Sequence, residues 1–243
     1  MNFSTVLIGI QARSTSKRLP GKCFEMIGDK RLLEHVIIAA KSASHYLNRH
    51  TDRSGILVKV ALLVPTGDPI KTEFDGFCHI IQGSEDDVLG RYRLGADSTD
   101  ADYIVRVTGD CPLIPDYVIS QHINIATKNA YDYVSNTDEE YRTSLDGEDC
   151  EVISKRMLRY IDEKSTAKHD REHVTPYVRR MTFETKPDWA KIGTTIDRFD
   201  FSNIKYSVDS QDELETVRRQ FNSRNGKDNG AISKYGKSNV HRV

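Results

Sequence analysis

Several features that would point to common function classes are absent from this chain. No apolar run approaches the ~18 residues of a membrane helix, and MNFSTVLIGI lacks the basic start and small-residue cleavage site of a secretory leader. There is no excess of one charge: 35 Lys and Arg stand against 36 Asp and Glu, so no bulk field exists for nucleic acid or an anionic membrane. The four cysteines, Cys23, Cys78, Cys111 and Cys150, form no CxxC pair and no Cys/His cluster at zinc spacing. They read as reduced thiols, and the protein is expected to be soluble and cytoplasmic, with no membrane or nucleic-acid partner. Neither GxGxxG nor GxxxxGK[ST] occurs, because Ser16 and Cys23 stand where the latter needs Gly and Ser or Thr. A Rossmann dehydrogenase and a P-loop ATPase both lose their main support.

What remains is an alternation of strands and helices. TVLIGI (5–10) and VKVALLV (58–64) are apolar runs of buried strands, HIIQG (79–83) is a short third, and ADYIVRVTGD (101–110) a fourth. RLLEHVIIAAKSA (31–43), DDVLGRYRLGAD (86–97) and DYVISQHINIATK (116–128) have helical spacing, and YDYVSN (131–136) again reads as strand. This order predicts an α/β, Rossmann-like, mostly parallel doubly wound sheet. From 137 to about 195 the sequence turns acidic and turn-rich, with a helix at 154–164 and another opened by HDREHVTPYVRR. A small inserted substrate or lid subdomain is expected there, within a main domain of residues 1–224. The main fold resumes at IKYSVDSQDELETVRRQF, read as a strand ending at Asp209 and a helix capped by Ser210. Residues 225–243, polar and rich in Gly, Asn, Ser and Lys, read as a flexible tail.

In an open parallel sheet, ligands bind at the carboxyl ends of the strands. Three polar segments fall there. The loop after the first strand gathers Arg13, Lys17, Arg18 and Lys22 around Pro20 and Gly21, either as a solvated connector or as a cradle for an anion. Asp110 follows the YIVRV strand and Asp209 ends the IKYSVD segment. Each suits a turn or a helix cap, and equally a hard divalent cation that keeps water and substrate phosphates in its shell. Ser84 with Asp87 resembles a helix cap. Arg106 inside its strand reads as a charge partner. Arg171, Thr175 and Arg179 would share an i, i+4 face, and His173 reads as structural rather than catalytic.

IQARSTSKRLPGK resembles the N-terminal signature of cytidylyltransferases of the CMP-KDO synthetase and CMP-acylneuraminate synthetase superfamily. The closer resemblance is to the spore-coat-polysaccharide type, whose members carry segments similar to GSEDDVLGRY, VRVTGDCPLI, DGEDCEV, REHVTPYVRR and YSVDSQDEL, in the same order. The resemblance implies a nucleotide-diphospho-sugar-transferase-like fold that binds CTP and Mg²⁺. It implies transfer of CMP to a sugar acid, sugar phosphate or polyol phosphate for a surface glycan, with release of pyrophosphate. By position, Arg13 and Lys22 would bind the triphosphate with help from Arg18, and Lys22, Arg13 and Asp110 would be catalytic. Asp110 and Asp209 would hold the metal, while Ile10, Gln11 and Ala12, with Ser84, would border the base. Asp149, Glu151 and Arg171 would meet the acceptor. In place of the GT-x-R segment of the KDO synthetases stands GSEDD. A glycosyltransferase or a non-catalytic nucleotide-binding protein on the same fold is the alternative, and the oligomeric state, a homodimer included, is left open.

Overall fold

A computed structural model describes residues 4–49, 55–225 and 239–242. Strand β1 (Ser4–Gln11) lies between two parallel neighbours, β4 (Ile56–Pro65) and β6 (Tyr103–Thr108), with Gln11 level with Leu63 and Thr108. β1 and β6 therefore finish on one line, and β4 runs on to Pro65. Beyond β4 lies β5 (His79–Gly83), and beyond β6 come β8 (Glu151–Ser154), β7 (Tyr133–Ser135), β9 (Ile192–Ile196) and the edge strand β10 (Asn239–Arg242). Of these eight strands β8 and β10 run against the rest. The sheet is mostly parallel, as the unbroken apolar runs of β1 and β4 predict. A short hairpin, β2 (Met26–Ile27) and β3 (Lys30–Arg31), follows the basic loop.

Helices cover both faces. Helix α1 (Leu32–Asn48) and α4 (Asp116–Lys128) pack on one, where Val36, Ala40, Val118 and Ile123 meet Val6, Ile8 and Val105. A short helix, α2 (Ile70–Glu73), follows β4 and sends Ile70 into this layer. On the other face, α3 (Val88–Thr99) and α5 (Lys155–Lys164) bury Leu89, Tyr92, Met157 and Ile161 against Leu7, Leu63 and Ile104. Burial of these apolar side chains, at ~25 cal/mol per Å², is the main favourable contribution to folding. A third cluster, Ile27, Leu32, Leu113, Val208, Leu214 and Val217, fastens α8 (Gln211–Asn225) to the β2–β3 hairpin and to the loop after β6. Among the described residues no helix is long and apolar enough to cross a membrane.

Three expectations need amending. Residues 204–209 form no strand: beside the 144–149 loop they make one bridge, Lys205 with Asp146, and isolated backbone bonds, Ser207 to Asp146 and Val208 to Asp110. The helix expected across HDREHVTPYVRR is two, α6 (Lys168–His173) and α7 (Pro176–Arg179). They are parted at Val174, whose φ of 71° a β-branched residue rarely adopts. The i, i+4 stripe of Arg171, Thr175 and Arg179 therefore does not exist. The cap of α3 is Asp87, which accepts from the Gly90 amide, and not Ser84. Of the segment expected as a flexible tail, 226–238 lies outside the described residues, Asn225 ends α8, and 239–242 form β10. The segment 137–195, expected as a lid, feeds β8 and β9 into the central sheet and carries α5, α6 and α7 between them.

Candidate active site

A cavity of about 580 Å³ opens where β1 and β6 end. The basic loop forms one wall. Its Ser14 amide donates to the Asp68 carboxylate (2.8 Å), Thr15 donates to Glu85, and Gly21, in the left-handed region at φ 73°, closes the loop by donating to the Ser14 carbonyl (2.9 Å). Glycine adopts that conformation without the penalty a side chain would bring. With its backbone bonds met locally, the loop turns Arg13, Ser16, Lys17, Arg18 and Lys22 toward the cavity.

Lys22 is the centre of the arrangement. Its ammonium donates to Asp110 (2.9 Å), to Asp209 (3.0 Å) and to the Val208 carbonyl (2.7 Å), three oxygens from two distant segments. Arg18 (2.8 Å) and Lys205 (3.5 Å) also face Asp209. Burial pushes the Lys22 amine down, but Asp110 and Asp209 outweigh it and hold the amine above its usual value. For Asp110, burial pushes the carboxyl up, and the Lys22 charge and hydrogen bonds from Lys22 and Thr108 bring it below the usual carboxylate range. Both groups are charged at neutral pH.

This oxygen set fits a hard divalent cation, since carboxylate and carbonyl oxygens already converge on a single positive charge. Among the described residues no three His, Cys, Asp or Glu side chains gather for a metal. Asp110 and Asp209 would therefore hold the ion jointly with ligands from substrate or water. Arg13 is paired at 3.5 Å with Glu172 on α6.

The floor beside β6 is built differently. Arg106 donates to the Gln11 side-chain oxygen (3.1 Å) and to Glu151 on β8 (2.6 Å), and Glu151 also accepts from Tyr133 (2.6 Å) and Thr137 (3.1 Å). Glu151 is 1% exposed. Burial pushes its carboxyl up, and Arg106, with Arg179 and the hydrogen bonds it accepts, brings it below its usual value. Arginine has no acceptor, so the atom of Gln11 facing it must be the oxygen. Gly109 lets this end of the sheet close up: a Cβ there would lie 2.9 Å from the Gln11 carbonyl oxygen.

Of the residues singled out in the sequence, Gln11, Ala12, Arg13, Lys17, Arg18, Lys22, Arg106, Asp110, Asp149, His173 and Asp209 line the cavity. Ile10 is in the core, and Ser84 is exposed outside the cavity. Glu151 lies beneath the lining as the partner of Arg106. Arg171 instead ties α6 to the start of α3, donating to both Asp87 oxygens (2.8 and 2.7 Å) and to Asp162 (2.7 Å). Asp149 pairs with Arg142, and burial raises its carboxyl above the usual value. Sequence reasoning missed Arg91, Thr108, Asp146, Glu172 and Ser207, all of which line the cavity. All five stood inside quoted segments without being singled out. What brings Asp146 and Glu172 in is tertiary, backbone bonds to residues 204–207 and the turn at Val174.

A doubly wound sheet whose strand ends set a cationic loop opposite paired carboxylates is the architecture of a nucleotidyltransferase. The chain belongs to the cytidylyltransferase family, whose characteristic sequence it matches over residues 7–225. An uncharacterised protein of Methanocaldococcus jannaschii is 31% identical over 173 residues, 71% of this chain and 66% of that one, just under two thirds of its length. The spore coat polysaccharide biosynthesis protein SpsF of Bacillus subtilis is 25% identical over 229 residues, 89% of this chain and 86% of that protein. The fold is shared with a cytidylyltransferase from Leptospira borgpetersenii at a TM-score of 0.72, with 22% identity and coverage of 96% of this chain and 100% of that one. It is also shared with a CMP:2-keto-3-deoxy-manno-octonic acid synthetase solved with CTP, at 0.65, with 16% identity and coverage of 91% and 100%.

Proposed function

We propose that this protein transfers CMP from CTP to a sugar acid, sugar phosphate or polyol phosphate, releasing pyrophosphate, as a step in surface glycan biosynthesis. The observation that carries the reading is the Lys22 ammonium clamped between Asp110 and Asp209 in a cavity that also receives Arg13, Lys17 and Arg18. An acceptor oxygen attacks the α-phosphorus and forms a new P–O bond. The bond to the β-phosphate oxygen breaks, and pyrophosphate departs with its electron pair. Arg13, Arg18 and Lys22 bind the triphosphate and neutralise the charge that grows on it, so the chain's part is mostly positioning and electrostatics. Mg²⁺ held by Asp110 and Asp209 would add charge neutralisation at the phosphates. An acceptor phosphate is already ionised and needs no base. An acceptor hydroxyl gives up its proton, and His173 lines the cavity with an imidazole that burial and His169 keep below its usual value, hence neutral and able to accept it.

The test is pyrophosphate release from each of the four nucleoside triphosphates with Mg²⁺ and a panel of acidic sugars and sugar or polyol phosphates. Release is expected with CTP and one acceptor class, reduced about 10²–10³-fold in Lys22→Ala. Release from no nucleotide with any acceptor, or a wild-type rate in Lys22→Ala, would sink the assignment.

A further inference from the structure

Arg91 is the least exposed cation facing the cavity, at 2%, and stands apart from the triphosphate-binding set of Arg13, Arg18 and Lys22. Among the described residues no carboxylate lies within ion-pair distance of it. One terminal nitrogen donates to the Leu63 carbonyl (3.3 Å), and the Nε proton has no acceptor. A guanidinium has five N–H donors and does not give up its charge in proteins. The carboxylates nearest in effect, Asp68 and Glu85, are committed to the basic loop and the chain around it: Asp68 accepts from Ser14 and Ile70, and Glu85 from Thr15. Arg13 adds a like charge nearby. Leaving a charge buried without a partner is among the most unfavourable arrangements a fold can hold. This fold nevertheless makes room for it, because a Cβ on Gly83 would lie 2.8 Å from the Arg91 Cγ, and glycine there lets the stem pass.

We propose that Arg91 is a nucleotide-binding residue, its guanidinium donating to acceptor oxygens of CTP, and that the bound nucleotide supplies the partner the protein withholds. The inference rests on the reading that the cavity binds CTP. The acceptor oxygen belongs either to the triphosphate or to the pyrimidine carbonyl, and the same hydrogen-bond chemistry serves both.

Equilibrium binding of CTP and of inorganic tripolyphosphate to the wild type, Arg91→Met and Arg91→Lys, with thermal unfolding of each protein free of ligand, tests this. Arg91→Met is expected to unfold at the wild-type temperature or above it, since an unpaired buried charge is gone, while CTP binding weakens at least tenfold. Arg91→Lys should recover part of that loss. Parallel weakening of tripolyphosphate places the contact on the phosphates, and unchanged tripolyphosphate binding places it on the base. CTP binding within twofold of wild type in both variants overturns the inference, and so does a destabilised Arg91→Met beside an Arg91→Lys that binds CTP normally. Wild type that binds CTP but never releases pyrophosphate refutes the transfer reaction and leaves Arg91 in question only through the binding data. Wild type that binds neither ligand refutes both.

Discussion

Arg91 and Arg106 reach the same cavity from two sides, Arg91 from α3 and Arg106 from β6, and their surroundings differ in one respect. Arg106 meets a carboxylate at 2.6 Å, a tyrosine shares that carboxylate, and Gln11 takes another of its protons. Arg91 meets one backbone carbonyl and keeps an unpaired Nε proton. The β6–β8 side is complete without ligand and works as scaffold, holding the amide of Gln11 in one orientation. The α3 side is complete only with something bound. A buried polar network fully satisfied by the chain rigidifies it, whereas one left open marks where the chain expects a partner.

The contrast can be broken at its satisfied end first. Glu151→Gln removes the counter-charge of Arg106 and should lower unfolding stability by about 3–5 kcal/mol, the usual effect of breaking a buried pair. Denaturant unfolding measures it, and a loss under 1 kcal/mol would show that the two arginines are not differently placed after all. Glu148 extends the comparison to the opposite charge. It is half-buried with no ion pair among the described residues, and burial, helped by Asp197 and Asp149 against Arg224, pushes its carboxyl up to about 7. Because this folded value lies above the unfolded one, its contribution is fully present below about pH 4.5 and is lost as pH rises through 7. Glu148→Gln should therefore stabilise the protein at pH 8, by at most about 3 kcal/mol, and flatten the stability profile between pH 4.5 and 7. Equal unfolding curves for the two proteins at pH 8 would contradict this. The smallest effect is expected at the partly exposed Arg171, whose pairs with Asp87 and Asp162 hold α6 against α3. Arg171→Ala should reduce stability by only about 1 kcal/mol, yet it loosens the helix that carries Glu172 and His173 into the cavity. KM is expected to rise more than kcat falls, and a pure kcat loss would instead make Arg171 a group that acts on the reaction.

Elements with regular periodicity were legible from the chain: the apolar runs of β1 and β4 and the helix Asp116–Lys128 stand where their patterns put them. So were Lys22 and Asp110, because strand ends gather at one rim of a parallel sheet whatever the details, whereas Asp209 reaches that rim without a strand, through the backbone bonds of Ser207 to Asp146 and Val208 to Asp110. The errors share a cause. Residues 204–209 have a strand's composition but find only isolated partners at Asp146 and Asp110. The 168–180 segment has a helix's composition, but Val174 turns it into two. Glu151 and Arg171 looked like ligand contacts because each is a charged residue in a quoted motif. Their partners, Arg106 and Asp87, stand 45 and 84 positions away.

By itself, then, the sequence determined the alternation of strands and helices that makes a mostly parallel sheet, the position of the cationic loop and the identity of the two carboxylates facing it. These follow from hydrophobic periodicity and from breakers, which act over a few residues. Tertiary structure decided which charges answer one another. Lys22 is satisfied by residues 88 and 187 positions away, Arg106 by a neighbouring strand, and Arg91 by no carboxylate among the described residues. Electrostatic pairing falls off over a few ångströms of space, and distance along the chain does not register in it.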